Sequence, residues 1–256
     1  MRFKRILPAL LAIFLLLCCT GCGDRTSPST EAPQSTAAPS GSSAEVEQPM
    51  VVDAYNGSRQ NSEGALFTCA IPRVTLSGAE IDALNDELYQ TFYTDKLGAD
   101  GAPTGATSYD WYVCGDVLTL RITEDAGLEF MTYRVYSVRV STAHVMTPEE
   151  VLTEAGLTAA AFEEQASAAL GNAYCVWLSG ELAQQEEPDA RYLEQFQKTV
   201  SAENAAEAVP FLDESGALWL CGKIYQPAGG DYHEELLPLT GYETSEFYSA
   251  LLEKLG

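Results

Sequence analysis

This 256-residue chain is poor in histidine, in basic charge and in long apolar runs. It has two histidines, and 14 Lys and Arg residues stand against 37 Asp and Glu residues, which gives a net charge of −23. The longest apolar run, residues 6–19, is shorter than the about 20 residues that a membrane-spanning helix needs. Because nucleic acids and anionic membrane surfaces are also negative, the sequence predicts no nucleic-acid partner and favours small molecules or cationic proteins.

The chain also lacks a recognisable catalytic or metal-binding motif. His144 and His233 stand apart, outside any HExxH or HxxEH arrangement, whereas a zinc site needs three or four ligands. The segment 231–235 (DYHEE) could bind a cation or titrate at about pH 6.5, but we interpret it as a solvated strand end. No GxSxG segment marks a serine nucleophile, and 37 acidic residues supply carboxylate pairs by chance. We therefore predict no catalytic, cofactor or metal site.

The segment 1–22 has the organisation of an export signal. Three basic residues precede the apolar segment 6–19, and small residues stand before Cys22. This pattern resembles a bacterial lipoprotein signal, although Cys19 stands where such signals usually carry Leu. We predict that residues 1–21 are removed and that Cys22 carries the lipid, which anchors the protein to the cell membrane on its extracytoplasmic face. The alternative is an ordinary cleaved signal or an uncleaved anchor.

The rest of the chain divides into a linker and a domain. Residues 22–49 are rich in Ser, Thr, Pro, Ala and Gly, which predicts a flexible linker that reaches roughly some tens of ångströms from the membrane. Residues 50–256 are long enough for one domain with its own core. Removal of residues 1–21 takes away three basic residues and no acidic one, so the net charge changes from −23 to −26.

Hydrophobic patterning in residues 50–256 predicts helices and strands in irregular order. A β-hairpin is expected over 108–122, because two β-rich arms flank Cys114-Gly115. Strands are further predicted at residues 66–76, 130–140, 174–178, 217–225 and 231–239, and helices at 79–93 and 189–200. Predicted helix N-caps are Thr147, Thr158 and Thr244. The order indicates an α+β fold, an antiparallel sheet with helices packed mainly on one face.

Four cysteines lie within the predicted domain: Cys69, Cys114, Cys175 and Cys221. Export favours disulfides, and four thiols allow three pairings. The absence of CxxC spacing is equally compatible with buried thiols that behave as small hydrophobic residues. We predict at least one bridge among the four and no catalytic cysteine, since a reactive thiolate needs a paired basic group to lower its pKa.

Six short segments, in their order along the chain, are similar to the RsiV/PdaC-type extracytoplasmic domain. They are Ile71-Pro72, Leu84 to Tyr89, Tyr109-Asp110-Trp111, Gly115 to Leu118, Thr147 to Leu152 and Tyr225 to Gly230. The resemblance covers about residues 66–240. In that family the domain occurs in a lysozyme-sensing anti-sigma factor and beside the catalytic domain of a peptidoglycan deacetylase. The resemblance implies a non-catalytic module that faces the cell envelope.

The chain departs from the family in two respects. It shows no cytoplasmic anti-sigma segment and no deacetylase domain with metal-binding Asp and His motifs, so neither direct transmembrane signalling nor deacetylase activity is implied. We expect an acidic lipoprotein, not an enzyme, that binds or senses an envelope component such as peptidoglycan or a cationic protein such as lysozyme. The alternative is a cell-surface hydrolase that acts on peptidoglycan or another glycan through scattered carboxylates.

Overall fold

The computed structural model describes residues 49–60, 64, 66–98, 104–125, 130–228 and 231–255. The predicted signal, Cys22 and the predicted linker apart from Pro49 therefore lie outside the described residues. The described part of the chain forms two sheets and seven helices, an α+β fold, which confirms the predicted fold class. None of the described helices is long and apolar enough to cross a membrane.

The larger sheet has six strands, which are neighbours in the order in which they follow along the chain. They are β1 (Val51–Gln60), β2 (Leu66–Val74), β3 (Ala106–Cys114), β4 (Val117–Asp125), β5 (Thr132–Arg139) and β6 (His144–Val145). Strands β2 and β3 pair in parallel, with Cys69 opposite Thr107, and the other neighbours pair antiparallel. The sheet is therefore mixed rather than antiparallel throughout.

Strands β3 and β4 form the predicted hairpin. Cys114 lies opposite Val117, so the turn consists of Gly115 and Asp116, and Gly115 adopts the left-handed conformation with a φ of 59°. A residue with a side chain rarely adopts this conformation, which is why a tight hairpin turn favours glycine here. The pairing extends to Ala106 opposite Asp125, and β4 contributes Leu118, Leu120 and Ile122 to the core.

Helix α1 (Ala79–Phe92) covers one face of the larger sheet, as its amphipathic pattern predicts. Its buried residues are Ile81, Leu84, Leu88 and Phe92, which pack with Leu118, Leu120, Ile122 and Val138 of the sheet. The side chain of Asn85 fixes the helix to β2, because its amide accepts from Val74 N at 2.8 Å and donates to Val74 O at 2.9 Å. Leu84 and Leu88 are buried, as expected from their spacing on a helix that packs against a sheet.

The smaller sheet has three antiparallel strands, β7 (Val209–Leu212), β8 (Leu218–Tyr225) and β9 (Tyr232–Pro238). Helices cover its outer face, with Phe196, Leu170 and Leu220 fully buried between them. In chain order the helices are α2 (Pro148–Glu154), α3 (Ala159–Trp177), α4 (Ser179–Leu182), α5 (Ala190–Thr199), α6 (Ala202–Glu207) and α7 (Glu246–Leu255). Helices α1 and α5 therefore pack on different sheets, whereas the sequence predicted a single sheet beneath both.

Helix starts follow the predicted signals at two of three places. Thr147 and Glu150 form a capping box at α2, and Thr158 accepts from Ala161 N at α3. Helix α7 differs, because Ser245 rather than Thr244 accepts from Phe247 N. The predicted strand at 174–178 is wrong. Residues 174–177 end α3 and Leu178 is its C-cap, because Tyr174 and Cys175 continue the helix's buried face into the core.

The two sheets face each other with the surfaces that the helices leave uncovered. Thr119 Oγ1 of β4 donates to Leu212 O of β7 at 3.0 Å across this interface. A small apolar cluster of Val117, Met146, Val151 and Leu212 closes one end of the interface. The other end opens as a cleft.

Candidate binding cleft

The cleft between the two sheets has a volume of about 470 Å³. Its walls are β5 from Tyr133 to Tyr136 and the inner face of the smaller sheet, and its rim includes Glu87 of α1 and the segment from α6 to β7. Two of the exposed large hydrophobic residues, Val209 and Tyr232, lie at this rim. Volumes of roughly 300 to 1,000 Å³ are typical of ligand sites.

One wall of the cleft is an open strand edge. Strand β5 pairs along its whole length with β4 but pairs with β6 only at Val138 and Arg139. Ser137 O accepts from Met146 N, and Tyr133 N donates to a side chain of the smaller sheet, so backbone groups of alternate residues point away from β4. By this alternation the N–H and C=O of Val135 also point outward, into the cleft.

Two charged side chains occupy the edge at Tyr133. Glu234 Oε2 accepts from Tyr133 N at 2.7 Å, and Arg134 Nη1 donates to Tyr133 O at 2.8 Å. The same Arg134 nitrogen lies 3.3 Å from Glu234 Oε1. The N–H and C=O of Tyr133 are therefore satisfied by a carboxylate and a guanidinium in place of a neighbouring strand.

The opposite wall carries a second ion pair. Lys223 Nζ lies 2.7 Å from Glu207 Oε2 and 4.9 Å from the centroid of the Tyr232 ring. The hydrogen bond to Glu207 raises the pKa of Lys223, so the ammonium remains charged at neutral pH. This lysine is held by a carboxylate on one side and an aromatic face on the other.

Glu87 is the carboxylate of the cleft with the weakest charge compensation. Its Oε1 accepts from Tyr136 Oη at 2.9 Å, and the described part of the chain forms no ion pair to it. Burial, together with this bond, raises the pKa of Tyr136, so the phenol stays protonated and donating. The described lining of the cleft has three carboxylates and two cations, an excess of one negative charge.

Asn204 joins the rim to the smaller sheet. Its Nδ2 donates to Thr199 O at 2.8 Å and to Lys223 O at 2.9 Å, which fixes the amide orientation because only the NH₂ group can face two carbonyl oxygens. Its Oδ1 is buried and accepts no hydrogen bond from the described residues. The start of α6 is thus held rigidly beside β8.

His144 lies at the closed end of the interface, and no pattern in the sequence indicates its partners. Its Nδ1 lies 2.8 Å from Glu80 Oε2, and its Nε2 lies 3.0 Å from both oxygens of Glu150. Hydrogen bonds to Glu150 and then Glu80 raise the pKa of His144. The pKa of Glu80 is lowered by the Val145 N–H and then by His144. The pKa of Glu150 is lowered by the Thr147 N–H and then by His144. The cluster ties the starts of α1 and α2 to β6.

His233 is buried, which corrects its interpretation as part of a solvated strand end. Its exposed fraction is 3 %, and its ring stacks on Phe130 at 4.1 Å and meets the edge of Trp177 at 4.6 Å. Its two nitrogens lie 3.3 Å from Gln226 Nε2 and Glu235 Oε1. Strand alternation places His233 on the helix-covered face of β9, away from the cleft.

In the structure the four cysteines of the domain are thiols, and the predicted disulfide stays a prediction. Cys69 Sγ donates to Gly105 O, and Cys114 ends β3 about 23 Å further along the strand pairing. Cys175 lies in the helical core, whereas Cys221 points from β8 into the interface, on the other face of the sheet. Burial raises the pKa of both Cys175 and Cys221 to about 12, which makes these thiols unreactive.

The described residues contain no group of three or more His, Cys, Asp or Glu side chains that could hold a metal ion. The chain matches no protein-family model. A search of curated proteins likewise finds no match. The resemblance to the RsiV/PdaC-type domain therefore stays a prediction, and the geometry of the cleft is the basis for assigning a function.

Proposed function

We propose that this protein is a lipid-anchored, extracytoplasmic binding protein whose ligand is a cationic polypeptide held in the cleft. The observation that carries the proposal is the pairing of charges around the cleft. Arg134 and Lys223 each have a carboxylate partner, whereas among the residues that the structure describes Glu87 has only the Tyr136 hydroxyl. A cationic side chain of the ligand completes this set at Glu87.

The composition of the lining also supports recognition of a polypeptide. Tyr133, Tyr136 and Tyr232 present large rings that have few rotatable bonds, and Arg134 adds a planar donor. Tyrosine and arginine are the residue types that dominate protein-binding surfaces, because they combine apolar contact with hydrogen bonding at low entropic cost.

The net charge of −23 favours the same ligand class. A negative protein attracts cationic partners and raises their association rate, an effect that is screened beyond about 8 Å at physiological salt. Charge alone gives no selectivity, so the cleft has to supply the specific contacts. The charge also opposes binding to nucleic acid.

The anchor is proposed from the sequence pattern that ends at Cys22. Two acyl chains give stable attachment, and the linker lets the domain reach ligands near the membrane surface. Replacement of Cys22 by Ala should abolish lipid labelling and shift the protein out of the membrane fraction. Unchanged labelling and fractionation of Cys22→Ala would contradict the anchor.

The binding function is tested by titration of the full-length protein, in detergent, with lysozyme, a size-matched basic control protein and peptidoglycan fragments. Specific binding to one basic protein that persists at about 0.5 M salt is expected, because apolar and hydrogen-bonded contacts are not screened. If both basic proteins bind equally and salt abolishes the binding of both, the interaction is only nonspecific electrostatic attraction. Turnover of the glycan fragments would instead establish the alternative, a cell-surface hydrolase.

A further inference from the structure

We infer that the open edge of β5 takes up the ligand as an added β-strand. This inference rests on the proposed function and specifies how the cationic polypeptide binds: as an extended segment, antiparallel or parallel to β5, with a Lys or Arg side chain beside Glu87. Main-chain hydrogen bonds then supply affinity, and the charged and aromatic lining supplies selectivity.

The backbone geometry of β5 is the first support. Strand β6 covers only Val138 and Arg139, so Tyr133 and Val135 direct their N–H and C=O groups toward the cleft. No hydrogen bond to the backbone of Val135 from outside the β4–β5 ladder is formed by the residues that the structure describes. An added strand at the usual spacing of about 4.8 Å would satisfy these groups.

The side chains at Tyr133 are the second support. Glu234 and Arg134 already provide an acceptor and a donor at the positions where an added strand would present a C=O and an N–H. Both side chains also pair with each other, so they can keep that ion pair when a strand replaces their backbone contacts. In the unliganded protein they protect the edge from pairing with other chains, which open edges otherwise invite.

The surroundings of the edge select the occupant. Glu87 of α1 lies on one side of the edge, and Lys223 with Tyr232 lies on the other. Tyr133 to Tyr136 span roughly 10 Å, the length over which about four residues of an extended chain run. Because no cation of the described part of the chain pairs with Glu87, a basic side chain is favoured over an acidic one at this position.

A single backbone substitution tests the inference. Val135→Pro removes the outward N–H without touching the β4–β5 ladder, and Val135→Ala shortens the same side chain but keeps the N–H. The probe is a fluorescein-labelled peptide of eight residues that alternates Lys and Val, and a peptide that alternates Glu and Val is its control. We expect Val135→Pro to weaken binding of the Lys peptide roughly tenfold relative to Val135→Ala, the value of about one hydrogen bond.

A second pair of variants, each of which removes one carboxylate charge, keeps the test decisive if Val135→Pro does not fold. Glu87→Gln should weaken binding of the Lys peptide roughly fivefold, whereas Glu164→Gln, the same change on an exposed position of α3, should leave it unchanged. Equal binding by both members of each pair, or equal binding of the two peptides, overturns the inference. If lysozyme or the basic control protein binds specifically and the Lys peptide does not, strand addition is wrong while the binding function stands. If no probe binds, both fail.

Discussion

The outer and inner faces of the two sheets differ in chemistry. The helix-covered outer faces are packed mainly with apolar side chains, and the fully buried residues there include Leu118, Leu120, Ile122 and Leu220 of the strands and Phe196 of α5. The inner faces, which meet each other, carry polar and charged residues, among them Thr119, Arg121, Ser137, Lys223 and Glu234. The contrast indicates that the outer cores stabilise the fold, while the polar layer between the sheets leaves hydrogen-bonding groups available to a ligand.

The largest expected effect is the loss of an outer aromatic ring. Phe196 is fully buried between Tyr174 and Tyr248, at 5.6 and 5.9 Å between ring centroids. Phe196→Ala should lower the free energy of unfolding by about 3–5 kcal/mol, because it removes apolar burial and leaves a cavity. Tyr232→Ala on the inner face should lower the free energy of unfolding by about 1 kcal/mol or less. Urea denaturation measures both, and equal losses would contradict the comparison.

A smaller effect is expected for the hydrogen bond that crosses the interface. Thr119→Val keeps the shape of the side chain but leaves Leu212 O without its donor in a buried position. The free energy of unfolding should fall by about 1–3 kcal/mol. Thr123→Val, the same change further along β4, serves as the control and should be nearly neutral. A neutral Thr119→Val would show that the polar layer does not hold the sheets together.

The ion-paired histidine should give a still smaller, pH-dependent effect. The pKa of His144 is raised by Glu150 and Glu80, so its stabilisation is fully present below the ordinary His pKa and is lost as pH rises through the raised value. At low pH the stabilisation is lost again as Glu80 and Glu150, whose pKa values are lowered, become protonated. The stability difference between wild type and His144→Gln should therefore be larger at about pH 6 than at about pH 8. A difference that grows toward the higher pH would contradict the ion pairs.

The smallest expected effect is that of a reductant on stability. Because the four cysteines of the domain are thiols in the structure, dithiothreitol should leave the urea midpoint unchanged. Mass spectrometry of the unreduced, alkylated protein should find these cysteines labelled after unfolding. A disulfide of the kind predicted from the sequence would be revealed in two ways. The free energy of unfolding would fall by about 2–4 kcal/mol on reduction, and a pair of cysteines would stay unlabelled.

The outer faces were predictable from the sequence, because their signals are local. Helix α1 follows from the spacing of Ile81, Leu84 and Leu88, and the hairpin follows from Gly115 between β-rich arms. Strand β1 was not predicted because Gly57 and Ser58 interrupt its apolar–polar alternation. Its strand conformation depends instead on antiparallel pairing with β2. The strand predicted at 174–178 failed because β-forming residues there are overridden by packing in the helical core.

The inner faces were not predictable, because their contacts join distant parts of the chain. Glu80 and His144 are 64 positions apart, and Tyr133 and Glu234 are 101 positions apart. No spacing rule links such residues before the two sheets are placed together. The one local signal was the acidic segment around His233, and it pointed to the wrong face, since Glu234 rather than His233 reaches the cleft.

Backbone amide hydrogen exchange tests the central claim most directly, with the free protein compared with the protein saturated by the alternating Lys and Val peptide. The account predicts that the Val135 amide, which points outward from β5, exchanges readily in the free protein and at least about tenfold more slowly when the peptide is bound. The amide of Leu120, in the central strand β4, should be protected in both states. Unchanged exchange at Val135 on saturation, or new protection confined to residues outside the cleft, would contradict the claim that this edge is the binding site.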